Sequence, residues 1–192
     1  MLVLSPQMAK LEQPIAAITA QAEKLGGLSP EQWNWKAAPT DWSAVEILWH
    51  LNASASPLMP LFEAAIQKIS SSGKGAIGDA PFKLSVLEKL FIKVVSPESS
   101  FNPPAPKMLT PPASGLSPDV ELAQFLDLQS RFLQCIRLGN GMDLSQEKIP
   151  SPISPLLKLS VGAYITAMVQ HERYHWLQIE DRLRGSGFTL GQ

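Results

Sequence analysis

Apolar residues recur every three to four positions along most of this chain, a period that marks amphipathic helices. Leu11, Ile15, Ile18, Ala22 and Leu25 predict a first helix from about Gln7 to Leu25, with Gly26-Gly27 as a left-handed C-terminal cap. Ser29, Pro30, Glu31 and Gln32 follow as cap, first-turn proline and capping-box partner of a short turn of helix. Ser43 and Glu46 form an S-x-x-E capping box that opens a second long helix. Leu48, Leu51, Ala55, Leu58, Phe62, Ala65, Ile66 and Ile69 trace its apolar face. Pro57 and Pro60 fall within that stretch, and an interior proline removes a backbone bond and clashes with the preceding turn. A break near Ala53 to Ser56 is expected, with Ser56 capping a second segment.

Ser117-Pro118-Asp119 opens a third helix, which carries Val120, Leu122, Phe125, Leu126, Phe132, Leu133 and Ile136 and stops at Gly139. A fourth runs from Leu156 or Ser160 to Arg184, with Leu159, Ile165, Met168, Leu177, Ile179 and Leu183 in its stripe and Gly185 as C-cap. Between the second and third helices, Ser70 to Gly75 has the composition of a flexible linker. Lys83 to Val95 fits one amphipathic helix, and the proline-dense stretch from Pro97 to Pro118 predicts an extended wrap over the surface. Period-two alternation is nearly absent, so strands are not expected. The sum is an all-α fold: a four-helix bundle in one domain, residues 1–192, with 73–117 as an insertion carrying an extra short helix.

Composition narrows the function classes. At 192 residues and 45% apolar content the chain can bury a core without staples. A net charge of −1 gives no general attraction to nucleic acid or to anionic membrane. The single cysteine, Cys135, sits in an apolar helical pattern and reads as a buried small hydrophobe rather than a nucleophile. No basic stretch precedes an apolar run at the N-terminus, and no run of about 18 apolar residues could span a bilayer. A cytoplasmic protein is expected, with a C2 homodimer as the default assembly. No phosphate-binding glycine loop or nucleophile elbow is present.

The chemistry concentrates in three histidines, His50, His171 and His175. Residues four apart share one face of a helix, so His171 and His175 can grip one ion. His171-Glu172-x-x-His175 also matches the zinc-protease pattern, with Glu172 as general base. That pattern needs a further ligand. Too little chain follows His175 for another ligand helix, and Gln178 stands where a glycine would turn the chain. Asp181 lies about 15 Å along the axis from His171. The protease reading is therefore the weakest. His50, on another helix, would instead complete a three-His site with open positions, the arrangement of a catalytic metal. The plain alternative is three ordinary core histidines.

Around them, Glu46 is a candidate base or ligand-orienting group that its capping box already explains. Glu172 is a candidate base bordering the pocket, against the commoner fate of a solvated glutamate paired with an arginine. Gln178, one turn past His175, could bond a ligand imidazole. Trp42, Trp49, Tyr174 and Trp176 could wall a pocket or simply pack.

Leu28-Ser29-Pro30-Glu31-Gln32-Trp33-Asn34-Trp35-Lys36, then Pro39 and Trp42-Ser43, then Glu46-Ile47-Leu48-Trp49-His50-Leu51, and finally His171-x-x-x-His175-x-x-Gln178-Ile179 resemble the DinB-like (DinB/YfiT-like) superfamily of metal-dependent four-helix-bundle proteins. The resemblance covers residues 7–70 and 117–185. It implies a divalent ion (zinc, nickel, iron or copper) on His50, His171 and His175. It also implies a thiol S-transferase-like or hydrolase-like activity, in which the ion activates a low-molecular-weight thiol or water toward a small-molecule substrate. The alternative is a non-catalytic metal-binding or stress-response bundle acting as an interaction module. Pro57, Pro60 and the long 73–117 segment depart from a minimal bundle. That segment could lid the metal pocket, form a partner surface or merely elaborate the exterior.

Overall fold

A computed structural model describes residues 3–73, 75–101, 104–152 and 154–188. Helix α1 (Pro6–Ala22) starts where the Ser5 hydroxyl accepts from the Met8 amide, with Pro6 at the first position. Met8, Leu11, Ile15, Ile18 and Ala22 form its buried stripe. The chain then tightens into a 3-10 turn over Glu23–Gly27. Neither Gly26 nor Gly27 takes a left-handed conformation, so the expected glycine cap is replaced by that turn. Helix α2 (Pro30–Asn34) has both halves of its capping box, and Trp33 is buried in a cluster with Val45 and Leu48.

Helix α3 (Ala44–Ala55) opens on the Ser43–Glu46 box. It ends just before Pro57, and helix α4 (Met59–Ser72) restarts with Pro60 in its first turn. The break lies where the prolines require it. Its cap differs from expectation: Leu58 holds the N-cap position, while the Ser56 hydroxyl donates back to the Asn52 carbonyl. The first half of the segment read as a flexible linker, Ser70 to Ser72, is helical, since α4 runs to Ser72 and stops at Gly73 in the left-handed conformation (φ 66°).

Helix α5 (Val86–Val94) is the extra helix, and Lys107–Leu109 adds a 3-10 turn to the proline-rich strap. Helices α6 (Pro118–Leu138) and α7 (Val161–Gly185) complete the bundle. Gly139 and Gly185 are not left-handed caps. Gly185 is still part of α7, where a side chain would collide with the Trp35 ring. Helices α1 and α3 each pack on both α6 and α7, so the four close into a ring.

Strands β1 (Lys148–Ser151) and β2 (Ser154–Ser160) contradict the expectation of no strands. They pair antiparallel, with buried Ile149 opposite buried Leu159. A proline-containing four-residue strand is too short to display an alternation. The apolar run Leu156-Leu157-Lys158-Leu159 reads equally well as helix. Leu159 therefore belongs to β2, and the last helix begins after its cap, Ser160.

The 73–117 segment is anchored at several points. Ala76 bridges Met142, and the Ile77 amide donates to the Gly141 carbonyl at 2.8 Å. Phe82 is buried against Gly162, where a Cβ would leave it no room. Glu88 caps α5 and also accepts from the Ser160 amide at 2.8 Å, tying α5 to the first turn of α7. Burial alone would raise its pKa. The amides and hydroxyls of Ser160 and Ser85 outweigh that and bring it down to about 2.

Candidate metal centre

Helix packing brings the three histidines together from opposite ends of the chain. The Ser43 box sets the start of α3, and His50 falls two turns in, on the side that faces α7. His171 and His175 lie one turn apart on α7. One ring nitrogen from each of the three lies within 4.8 Å of the other two. His50 and His175 are buried and His171 is half-buried.

The ring contacts decide which nitrogens face inward. His50 Nδ1–H donates to the Leu109 carbonyl at 2.8 Å, and a carbonyl can only accept, so Nε2 of the neutral ring carries a free lone pair. His175 Nδ1–H donates to Gln178 Oε1 at 2.8 Å, again leaving Nε2. His171 presents Nε2 at 3.2 Å from His50 Nε2, while its Nδ1 is buried without a protein partner. A tetrahedral zinc with bonds of about 2.0–2.1 Å has ligand nitrogens about 3.3 Å apart, close to that 3.2 Å separation. The donor set fits a divalent ion that favours imidazole.

Protonation agrees with that fit. Burial lowers the pKa of all three rings. For His171 the neighbouring His175 and His50 add to it, and for His175, His50 does so and Gln178 opposes, leaving His175 at about 3. Neutral imidazole is the form that binds metal.

The triad opens on a cavity of about 600 Å³. Its walls come from α3, α5, α7, the β-hairpin and the proline-rich strap, including Phe91, Val95, Phe101, Met108, Ala167 and Met168. Part of the 73–117 segment, from Phe91 to Leu109, thus walls the cavity rather than lying remote from it. Tyr174 and Gln178 line the cavity, and the Tyr174 ring meets His175 edge-on at 4.9 Å. Trp42 also lines it, 5.1 Å from the His50 ring. Trp49 and Trp176 do not; Trp176 is buried against Phe125 with the rings stacked at 6.0 Å.

Neither candidate carboxylate is in the wall. Glu46 accepts from the Ser43 amide at 2.7 Å and pairs with Lys36 at 2.7 Å, so the helix cap accounts for it. Glu172 is 2% exposed, far from the solvated, arginine-paired state expected of a helical glutamate. Gln129 Nε2 of α6 donates to its Oε2 at 2.9 Å. Burial pushes Glu172 up to about 8, with the Gln129 bond opposing. The glutamate of the H-E-x-x-H pattern therefore points away from the histidines. Cys135 is buried in the core, its thiol pushed up to about 11 chiefly by burial. No described helix is long and apolar enough to cross a membrane.

Some functional contacts left no trace in the sequence. The Leu109 carbonyl that orients His50 is a backbone group on an irregular strap, and no side-chain pattern announces it. Gln129 sits on an apolar stripe of α6, and only its burial beside Glu172 gives it meaning.

The family model of the DinB superfamily matches residues 16–179. That span contains all three histidines and the whole insertion. No curated protein and no solved structure matches the chain.

Proposed function

The chain belongs to the DinB superfamily, and on that premise we propose that it is a divalent-metal-dependent enzyme whose ion is held by His50, His171 and His175. Its activity is transferase-like or hydrolase-like. When bound, the ion lowers the pKa of a coordinated thiol or water and so supplies a nucleophile near neutral pH. The observation that carries the reading is the convergence of three imidazoles, two of which have Nδ1 already engaged.

The protein's own residues supply the rest. The Leu109 carbonyl and Gln178 fix the tautomer and tilt of two rings, the outer-shell support that metal-bound histidines ordinarily have. The largely apolar walls lower the local polarity beside the triad and so strengthen electrostatic interactions there. Tyr174 packs its ring edge-on against that of His175 and limits its swing.

One observation favours a second reading, a metal-binding bundle without catalysis: among the described residues, no carboxylate lines the cavity to move a proton. The two readings share the ion and differ in turnover. Metal analysis of purified protein beside His50→Ala and His175→Ala tests what they share. Wild type should retain about one equivalent of zinc, nickel or iron, and each variant should lose it. Full retention in both variants would end the three-His assignment. Thiol- and metal-dependent consumption of an electrophile would then separate enzyme from bundle.

A further inference from the structure

Among the described residues that line the cavity there is no aspartate, glutamate, lysine or arginine. The polar groups present are the three imidazoles, the Gln178 amide and a few hydroxyls, and each of these is uncharged when the rings are neutral. The body of the space is bounded by Leu58, Phe91, Val94, Val95 and Met168, and Phe101 and Met108 stand at 63% and 61% exposure as apolar residues reaching from the wall into solvent. Ser54, one turn beyond His50 on α3, also lines this space. A volume of about 600 Å³ lies within the range of small-molecule sites.

Away from the proposed ion, an ionised carboxylate or ammonium entering such a space gives up hydration and meets no charged side chain in the wall. An apolar chain or ring gains from every methylene removed from water. We infer that the ligand of this cavity is an uncharged molecule with an apolar body, bringing a single neutral or metal-directed head group to the histidine end. The inference rests on the proposed metal site only for where that head group lies. It narrows the thiol: a thiol carrying carboxylates finds no partner here, whereas an alkyl or aryl thiol does.

The probes are butan-1-ol, hexan-1-ol, octan-1-ol and octanoate, titrated into chelator-treated full-length protein at pH 8 and followed by tryptophan fluorescence, since Trp42 lines the cavity. Removing metal first prevents octanoate from simply ligating the ion. Affinity should rise about fourfold per methylene through the alcohols, and octanoate should bind at least about tenfold more weakly than octan-1-ol. Val95→Lys should reverse the preference between octanoate and octan-1-ol. Ala105→Lys, in the strap, serves the same purpose on a second element should Val95→Lys fail to fold. Equal binding of octanoate and octan-1-ol, or no dependence on chain length, would overturn the inference. An intact alcohol ladder in a protein that binds no zinc supports the inference while sinking the metal site. Zinc retained with no ladder does the opposite.

Discussion

Helix α7 carries polar residues on two faces that meet opposite conditions. His171 and His175 line a cavity: His171 Nε2 lies 3.2 Å from His50 Nε2, and His175, bonded to Gln178 through Nδ1, keeps its Nε2 uncommitted. Glu172, one residue on, is sealed against α6 and holds a single bond to Gln129. Trp176 continues that sealed face by stacking on Phe125. The contrast shows why a linear pattern misleads. Successive helical residues are about 100° apart, so the letters of H-E-x-x-H divide between a site and a core. The histidine pair acquires its third member from α3, while the glutamate becomes a packing residue. Buried polar groups on one helix thus mean different things, according to whether their free atoms point into space or into protein.

Damage to the sealed face should cost stability and leave the metal alone. Trp176→Ala removes a buried indole, its stack on Phe125 and a bond to Gln21, and should cost about 3–5 kcal/mol in denaturant unfolding. The folded fraction should still bind one equivalent of zinc; loss of zinc at full stability would erase the distinction between the faces.

The cavity face takes part of its wall from α5, and Glu88 pins α5 to the start of α7. A carboxylate held near 2 stabilises the fold above its ordinary value of 4.5 and loses that contribution as pH falls toward 2. Wild type should lose about 3 kcal/mol from this group across that window. Glu88→Gln should lack that portion of the pH dependence, and parallel wild-type and variant curves of unfolding free energy between pH 4.5 and 2 would refute the pin.

On the histidine side, Gln178→Ala frees His175 Nδ1 and should weaken zinc about 10–100-fold in a competitive chelator titration. Thermal stability of the metal-free protein should move little, because Gln178 is only half-buried. The smallest effect is expected from Glu172→Gln. Burial favours the neutral acid form of the native side chain, so an amide of the same shape should change stability by less than about 1 kcal/mol and zinc affinity not at all. A large loss of zinc or of turnover would return Glu172 to the site.

The bundle was legible because its signals are local. Capping boxes at Ser29 and Ser43, apolar stripes in α1 and α6, and prolines at 57 and 60 each act within a turn or two. The three ligand candidates were legible for a different reason: histidine is so scarce here that spacing and order carried information. What escaped was non-local. The β-hairpin is stabilised by cross-strand pairing that four residues and a proline cannot advertise. The seat of the 73–117 segment depends on Phe82 meeting Gly162, on Glu88 reaching Ser160 and on a backbone carbonyl at Leu109. Gly26, Gly27 and Gly185 looked like left-handed caps, yet Gly185 is needed for the close approach of Trp35 and the other two sit in a 3-10 turn.

X-ray absorption at the metal edge of zinc-loaded protein, wild type beside His50→Ala, addresses the central claim most directly. Three imidazole nitrogens at about 2.0–2.1 Å in wild type, falling to two in His50→Ala or to no bound zinc, is the predicted result. A first shell that contains sulfur, or one unchanged by His50→Ala, would contradict a site built by α3 and α7 together.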